Sequence, residues 1–412
     1  MSAIRKYLTV LAIALLPLVA GAQTDTLRFS AKGVVRDAAS GQVLQAVAVT
    51  LPGTSFATIT NADGTFVIKS DRPIDNVSFT LLGYKGLTMT APESSSEVMR
   101  VRMKRDEFTI DAATVLSGDP RELMRLAIAR ISDNCPAQAE LFDCFYRETV
   151  QKRQRFIYVS EAVTKMYKSS FRDFLGVDRA AVVKSRLLTS PRKSDTLGVK
   201  VLGGPAMSVE LDLVKTRSTP FNERELDMYS FTLLPPQVID GRMQLVIAML
   251  PAVEADYALQ YGTIYIDRET LAFTRVELSL DMSDPVKATD MMLIRRPAGL
   301  RFRPKEMSLI LDYTREDGKS RLSYLKTVFR FNCDWKKRLL ATEFTAVAEM
   351  VATKRYTGPD AVQIPRSEAF SHHQALADKT SYYADPDFWK DYNIIEPTVG
   401  LEHAVARLKA TE

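Results

Sequence analysis

The residues best suited to chemistry are few and poorly spaced for it. Histidine occurs only at His372, His373 and His403, all near the C-terminus. A zinc hydrolase needs a His and a carboxylate at short spacing plus a distant His, and none of these three is followed at a suitable interval by an acid. His372 and His373 are chain neighbours whose side chains point in different directions, so they read as part of a polar surface loop rather than as a metal pair. There is no G-x-S-x-G elbow and no phosphate-cradling glycine loop. Cys135 and Cys144 lie nine positions apart and, in an oxidising compartment, either pair as a disulfide or stay as buried thiols; Cys333 has no evident partner. Two carboxylates brought together by folding leave no trace in sequence, so an envelope hydrolase of that type is the catalytic class that spacing leaves open. The expectation is a protein that is not an enzyme, with no catalytic, cofactor-binding or metal-binding residues.

The start of the chain assigns a compartment. Arg5 and Lys6 precede an apolar run from Leu8 to Ala20, and Ala20-Gly21-Ala22 supplies small residues before a cleavage point at Gln23, so residues 1–22 read as a signal peptide. The run is shorter than the roughly 20 residues that span a bilayer. No Cys follows the cleavage point to carry a lipid anchor, and no later stretch is long and apolar enough for a transmembrane helix. Losing Arg5 and Lys6 lowers the formal net charge from +5 to +3, which gives no support to nucleic-acid binding. Short basic clusters at Lys152-Arg153-Gln154-Arg155, Arg295-Arg296 and Lys336-Lys337-Arg338 fall between candidate strands and read as solvated turns, with contact to acidic lipid or polysaccharide as the sharper reading.

Gly33 to Tyr84 reads as a small β-sandwich. Gly41, Gly53 and the Asn61-Ala62-Asp63-Gly64 turn separate short alternating runs such as Val47, Val49, Leu51 and Phe66, Ile68. Met99 to Met103 supplies a last strand. Asp119-Pro120-Arg121-Glu122 is an N-cap, a first-turn proline and an acid three residues on, predicting one helix over roughly 119–133 that Asn134 and Pro136 stop.

From about Phe142 to Lys354 the pattern is period-two alternation broken by turns such as Asp240-Gly241 and Asp317-Gly318, which predicts a large antiparallel sheet. Its apolar positions include Ile157, Val159 and Val163; Met243, Leu245 and Ile247; Ile264 and Ile266; Val276 and Leu278; and Leu325, Phe329 and Phe331. Uneven strand spacing and charges on both faces argue against an outer-membrane barrel. Tyr382, Tyr383, Phe388 and Trp389 make the C-terminal segment aromatic, as an anchor on the sheet or as a platform for carbohydrate or peptide.

The N-terminal pattern resembles the carboxypeptidase-like regulatory domain, a prealbumin-like seven-stranded sandwich common in secreted Bacteroidota proteins. The matching positions include Gly33, Val35 and Asp37, then Gly41, Leu44 and Ala46, then Thr60, Asn61, Asp63, Gly64, Phe66 and Ile68, and finally Gly83-Tyr84; Val43 stands where the family has proline. The resemblance implies a fold and no reaction. The remainder resembles the uncharacterised region that follows this domain in such proteins, through LMRLAIARISDNCP, FYRETVQKRQRFIYVSEAV, YGTIYIDRETLAFTRVELSL and ADPDFWKDYNIIEP. The IYID hairpin is also similar to part of the half-barrel of LolA-type lipoprotein carriers, whose curved sheet wraps lipid or a helix.

The reading is thus a mainly β, exported, periplasmic or outer-membrane-associated protein: a sandwich over 26–105, a linker and helix over 106–140, and a β-rich domain over 141–412. Its expected role is a non-catalytic interaction module joined to a binding sheet, with an envelope protein, lipid or glycan as partner. A lipid or lipoprotein carrier is the alternative, in which Ile264, Ile266, Val276 and Leu278 would face a ligand.

Overall fold

A computed structural model describes residues 27–106, 118–173, 176–192, 195, 200–201, 204–295, 298–335, 341–371, 376 and 389–409. The segment over 1–22, His372-His373, Lys336-Lys337-Arg338, Tyr382, Tyr383 and Phe388 lie outside these residues.

Seven strands form the N-terminal sandwich: β1 (Phe29–Asp37), β2 (Ala48–Thr50), β3 (Ala57–Ile59), β4 (Thr65–Ser70), β5 (Asn76–Thr80), β6 (Leu87–Thr90) and β7 (Val98–Met103). One sheet runs β4-β1-β7 with β7 parallel to β1, and the other runs β3-β2-β5-β6. The alternation buries Val35, Val47, Ile68 and Val77 completely, and Phe66 meets Phe79 edge-on at 5.3 Å. Asn61 shapes the predicted turn by accepting the Asp63 and Thr65 amides at 3.0 Å each, and Gly64 sits at φ +72°, where side chains are disfavoured. Asp37 accepts the Tyr84 hydroxyl at 2.8 Å and the Arg105 guanidinium at 3.0 Å, so the two ends of the family-like pattern meet in one hydrogen-bonded cluster.

The predicted helix forms as Pro120–Ala129, with the Asp119 carboxylate accepting the Arg121 amide at 3.0 Å. A break at Arg130 separates it from a short turn of helix, Ile131–Asn134, so the single helix of the sequence reading is two pieces.

The rest is built on β8 (Glu140–Lys152), β9 (Arg155–Lys168), β10 (Arg179–Thr189), β11 (Lys200–Val201), β12 (Tyr229–Ile239), β13 (Arg242–Pro251), β14 (Gln260–Asp267), β15 (Phe273–Leu280), β16 (Leu293–Arg295), β17 (Leu300–Glu316), β18 (Lys319–Trp335) and β19 (Glu343–Tyr356). Ten of these make one sheet in the order β10-β9-β8-β19-β18-β17-β15-β14-β13-β12, antiparallel throughout, while β11 and β16 pair separately. The end strands β10 and β12 do not pair with each other, so the sheet is open rather than a barrel. Edge strand β12 carries Pro235-Pro236 at the irregular pairing between Leu234 and Gln237, which leaves fewer free amides for another strand. Arg153 and Gln154 form the β8–β9 turn, and Arg155 pairs with Asp195 at 2.6 Å, so the first basic cluster is a hairpin end.

The two faces of this sheet differ. On the apolar face, Leu245, Ile247, Ile264, Ile266, Val276, Leu278, Leu311 and Met350 pack with Met124, Ala127, Ile128 and Ile131 and with Val209, Leu213, Val214 and Phe221. The four residues assigned to a carrier groove are therefore covered by the chain itself: Ile264, Ile266 and Val276 are 0% exposed and Leu278 3%. A register irregularity between Val150 and Gln151 also divides one expected run: Ile157 joins the apolar-face core, whereas Val159 and Val163 face the other side. Cys135, Cys144 and Cys333 are all free and buried, so the disulfide alternative is replaced by the buried-thiol one.

Candidate functional site

Charged residues alternate with the apolar ones along the strands, and in register they build a polar second face. Arg147 of β8 sits opposite Glu161 of β9, donating to it at 2.7 Å, and Arg186 of β10 reaches the other carboxylate oxygen at 2.5 Å. Burial pushes the Glu161 carboxyl up, but the two guanidinium groups outweigh it and hold it below the ordinary range. Farther along, Arg275 of β15 contacts Asp312 of β17 at 2.7 Å and Glu277 at 2.5 Å, and the Tyr324 hydroxyl donates to Glu349 at 2.7 Å. Burial raises Asp312 despite the adjacent Arg275, and it raises Tyr324 well above an ordinary phenol.

The sandwich roofs this face. Ser55 hydrogen-bonds with the backbone of Arg355 in β19, the Lys354 ammonium lies 5.2 Å from the Phe56 ring centroid, and the Gly83 amide donates to Val238 of β12 at 2.8 Å. A C-terminal strap then ties roof to floor. Trp389 meets Phe145 edge-on at 5.5 Å and lies under Arg186, while Arg147 donates to the Ile395 carbonyl at 2.7 Å. On its other side the strap holds the sandwich: Thr58 donates to Ile394, Asn61 to Glu396 and Pro397, and Lys69 to Trp389 and Tyr392. Asn393 makes a two-point contact with the backbone of Lys69, accepting at 2.7 Å and donating at 3.0 Å, and so occupies the free edge of β4. The helix Val399–Lys409 follows, burying Leu401 and Leu408 against Val159 and Leu188. Trp389 thus takes the anchoring role among the aromatic residues named from the sequence.

Between roof and floor lie two cavities of about 330 and 110 Å³, both bordered by Ala46, Leu81, Leu82, Arg275 and Tyr324. The larger is also lined by Arg147, Thr149, Lys326, Glu349 and Ile395, and the smaller by Thr58, Thr274, Asp312, Ser323, Lys354 and Arg355. Fixed hydroxyls and paired charges can orient polar groups, while Ile59, Ile239, Leu322 and Val351 add apolar lining to the smaller cavity. The cationic and acidic side chains of the sheet floor are largely committed to one another, and the thiols lie elsewhere, with burial pushing Cys135 up to about 12 and Cys333 to about 11, away from the reactive thiolate. Among the described residues there is no group of three or more His, Cys, Asp or Glu able to hold a metal, and His403 is exposed on the final helix.

None of Arg147, Glu161, Arg186, Arg275, Asp312, Tyr324 and Glu349 stands out in the sequence. Their alternation matches a solvated sheet face, and only the cross-strand order pairs them. The alternating polar side of FYRETVQ against IYVSEAV is the available signal, because Arg147 and Glu161 hold matching places in two adjacent strands.

No curated protein sequence matches this chain. Among solved structures, it is similar to a DUF1329 family protein from Desulfovibrio piger, at 12% identity over 57% of this chain and 94% of that one, with a TM-score of 0.24. It is likewise similar to a LolA superfamily protein from Nitrosomonas europaea, at 10% identity over 63% of this chain and 100% of that one, with a TM-score of 0.22. At such scores the fold of this chain rests on its own geometry. Residues 31–115 match the family model of the CarboxypepD_reg-like domain, in agreement with the Asp37, Asn61, Gly64 and Tyr84 geometry above.

Proposed function

We propose that this is a non-catalytic, exported binding scaffold of the cell envelope, in which the sandwich is a fixed roof over the polar sheet face and the cleft between them receives a polar ligand or partner segment. One observation carries the reading: the apolar face that a carrier would offer to an acyl chain is filled by the chain's own side chains, whereas the polar face keeps open volume. Acyl binding at Ile264 and Ile266 would require the covering segments to leave. Those segments are pinned by buried charge, since Asp212 accepts Lys168 and the Tyr313 hydroxyl at 2.7 Å each.

Native mass spectrometry of the protein taken from its own envelope fraction tests this. The scaffold reading expects the apoprotein mass and an N-terminus at or beside Gln23. A co-purified lipid or acyl adduct would overturn it in favour of the carrier, and an intact Met1 on the mature chain would remove the export assignment.

A further inference from the structure

Across the ten-stranded sheet, buried cations have acids beside them, as Arg147 has Glu161, Lys168 has Asp212 and Arg321 has Glu140. The outer face of the sandwich's three-stranded sheet breaks that rule. The outward positions of β1, β4 and β7 carry Lys32, Arg36, Lys69, Arg100 and Arg102 and no carboxylate; the others are Ser, Thr and Val. Lys69 is held by strap carbonyls. The other four have no carboxylate partner among the described residues, and Arg36, Arg100 and Arg102 are exposed. Arg36 and Arg102 are directly paired across β1 and β7, and Arg100 is paired with Val34. Adjacent strands lie only about 4.8 Å apart, so these like charges repel in the folded state with nothing in the sheet to offset them.

The four-stranded sheet of the sandwich faces the polar cleft, so the β1 and β7 part of this basic face points away from the rest of the molecule, while the strap reaches its β4 edge at Lys69. Half-exposed Val34 and Val67 lie among the cations, with Val98 (51% exposed) at one end. Cations around modest apolar contacts fit the interface of an anionic bilayer better than a soluble polyanion, which would gain nothing from the apolar part. We propose that the outer face of β4-β1-β7 is a docking surface for an anionic phospholipid membrane, holding the chain at the bilayer and leaving the polar cleft facing away from it.

Co-sedimentation of the mature full-length chain with vesicles of phosphatidylglycerol and phosphatidylcholine tests this. Binding is expected to rise with phosphatidylglycerol content and to fall as salt is raised. The double variant Arg100→Glu, Arg102→Glu should lower vesicle partition by about tenfold or more. It should leave the thermal midpoint unchanged or raised, because the carboxylate introduced by Arg102→Glu would meet Arg36 across the strand pair. A control, Arg130→Glu with Arg224→Glu, makes the same net-charge change at exposed sites beyond the sandwich and should keep wild-type partition. Equal loss in both double variants would reduce the effect to net charge and overturn the proposal. So would wild-type binding to soluble polyphosphate without binding to vesicles, or no vesicle binding at all.

Discussion

Ile264, Ile266, Val276 and Leu278 on one face of the ten-stranded sheet are sealed by apolar side chains, whereas Arg147, Glu161 and Tyr324 on the other are closed by a separate domain and by a strap from the far end of the chain. The first closure is non-directional and grows with the apolar area removed from water. The second adds directional contacts to a smaller apolar cluster that includes Ile59, Phe145, Trp389 and Ile394: Arg147 reaches the Ile395 carbonyl across 248 positions, Thr58 reaches Ile394 across 336, and Asn393 pairs with the edge of β4. Apolar contacts therefore fix that the sheet is covered, and polar contacts fix what covers it and in which orientation. Cavities survive beside the polar face because hydrogen-bonded partners do not collapse onto one another as apolar side chains do.

The largest expected effect comes from breaking the polar face. Glu161→Ala leaves Arg147 and Arg186 facing each other without their shared carboxylate and should cost about 3–5 kcal/mol. Urea unfolding at constant slope is the measurement; a shift worth less than about 1 kcal/mol would mean that water replaces the carboxylate and that this face is far less sealed than described.

A change confined to the sandwich should be smaller. Gly64→Val forces a β-branched residue to φ +72° and places its Cβ 2.8 Å from the Val35 carbonyl oxygen. The expected loss is about 2–3 kcal/mol, seen as a lowered thermal midpoint. If the sandwich and sheet unfold together, one transition moves; if the strap couples them weakly, only the first of two transitions moves.

Smaller again is Asn393→Ala, which removes both hydrogen bonds to the Lys69 backbone and should cost about 1–2 kcal/mol. Hydrogen exchange should quicken at β4 and in the strap while the apolar-face strands keep their protection. Uniform protection throughout would show that Asn393 contributes nothing to joining the two regions.

The smallest effect depends on pH. The amide of Ser40, with Tyr84 and Arg105, holds the Asp37 carboxyl below its ordinary range. A depressed carboxyl contributes stability above its unfolded pKa, near 3.9, and loses that contribution as pH falls through the lower folded value. The difference in thermal midpoint between wild type and Asp37→Asn should therefore be constant above about pH 5 and shrink below about pH 4. A difference that grows on acidification would reverse the assigned sign.

The sandwich is the more legible region because its determinants are local. The Asn61 side chain accepts amides within four residues, and Asp119 caps its own helix, so residue type and spacing carry the information. The sheet is legible as alternation and as open rather than closed, yet alternation leaves the two faces ambiguous. The charged side of β8 and β9 reads as solvated because nothing near Arg147 or Glu161 in the chain says that Ile395 and Trp389 return to cover them. Val159 and Ile157 share a parity and still part company at a register irregularity. The apolar residues that the carrier alternative placed on a groove are apolar as read, and the chain's own segments cover them.

By itself the sequence determined the turn-built sandwich, the capped helix, the antiparallel strands and the scarcity of histidine, since each follows from short-range backbone chemistry or from residue inventory. Only the tertiary structure decided which face is filled, that the three thiols stay free and that a polar cleft lies under the sandwich. These depend on contacts between residues hundreds of positions apart, where closing the loop costs entropy that no local pattern records and the gain exists only once both partners are folded.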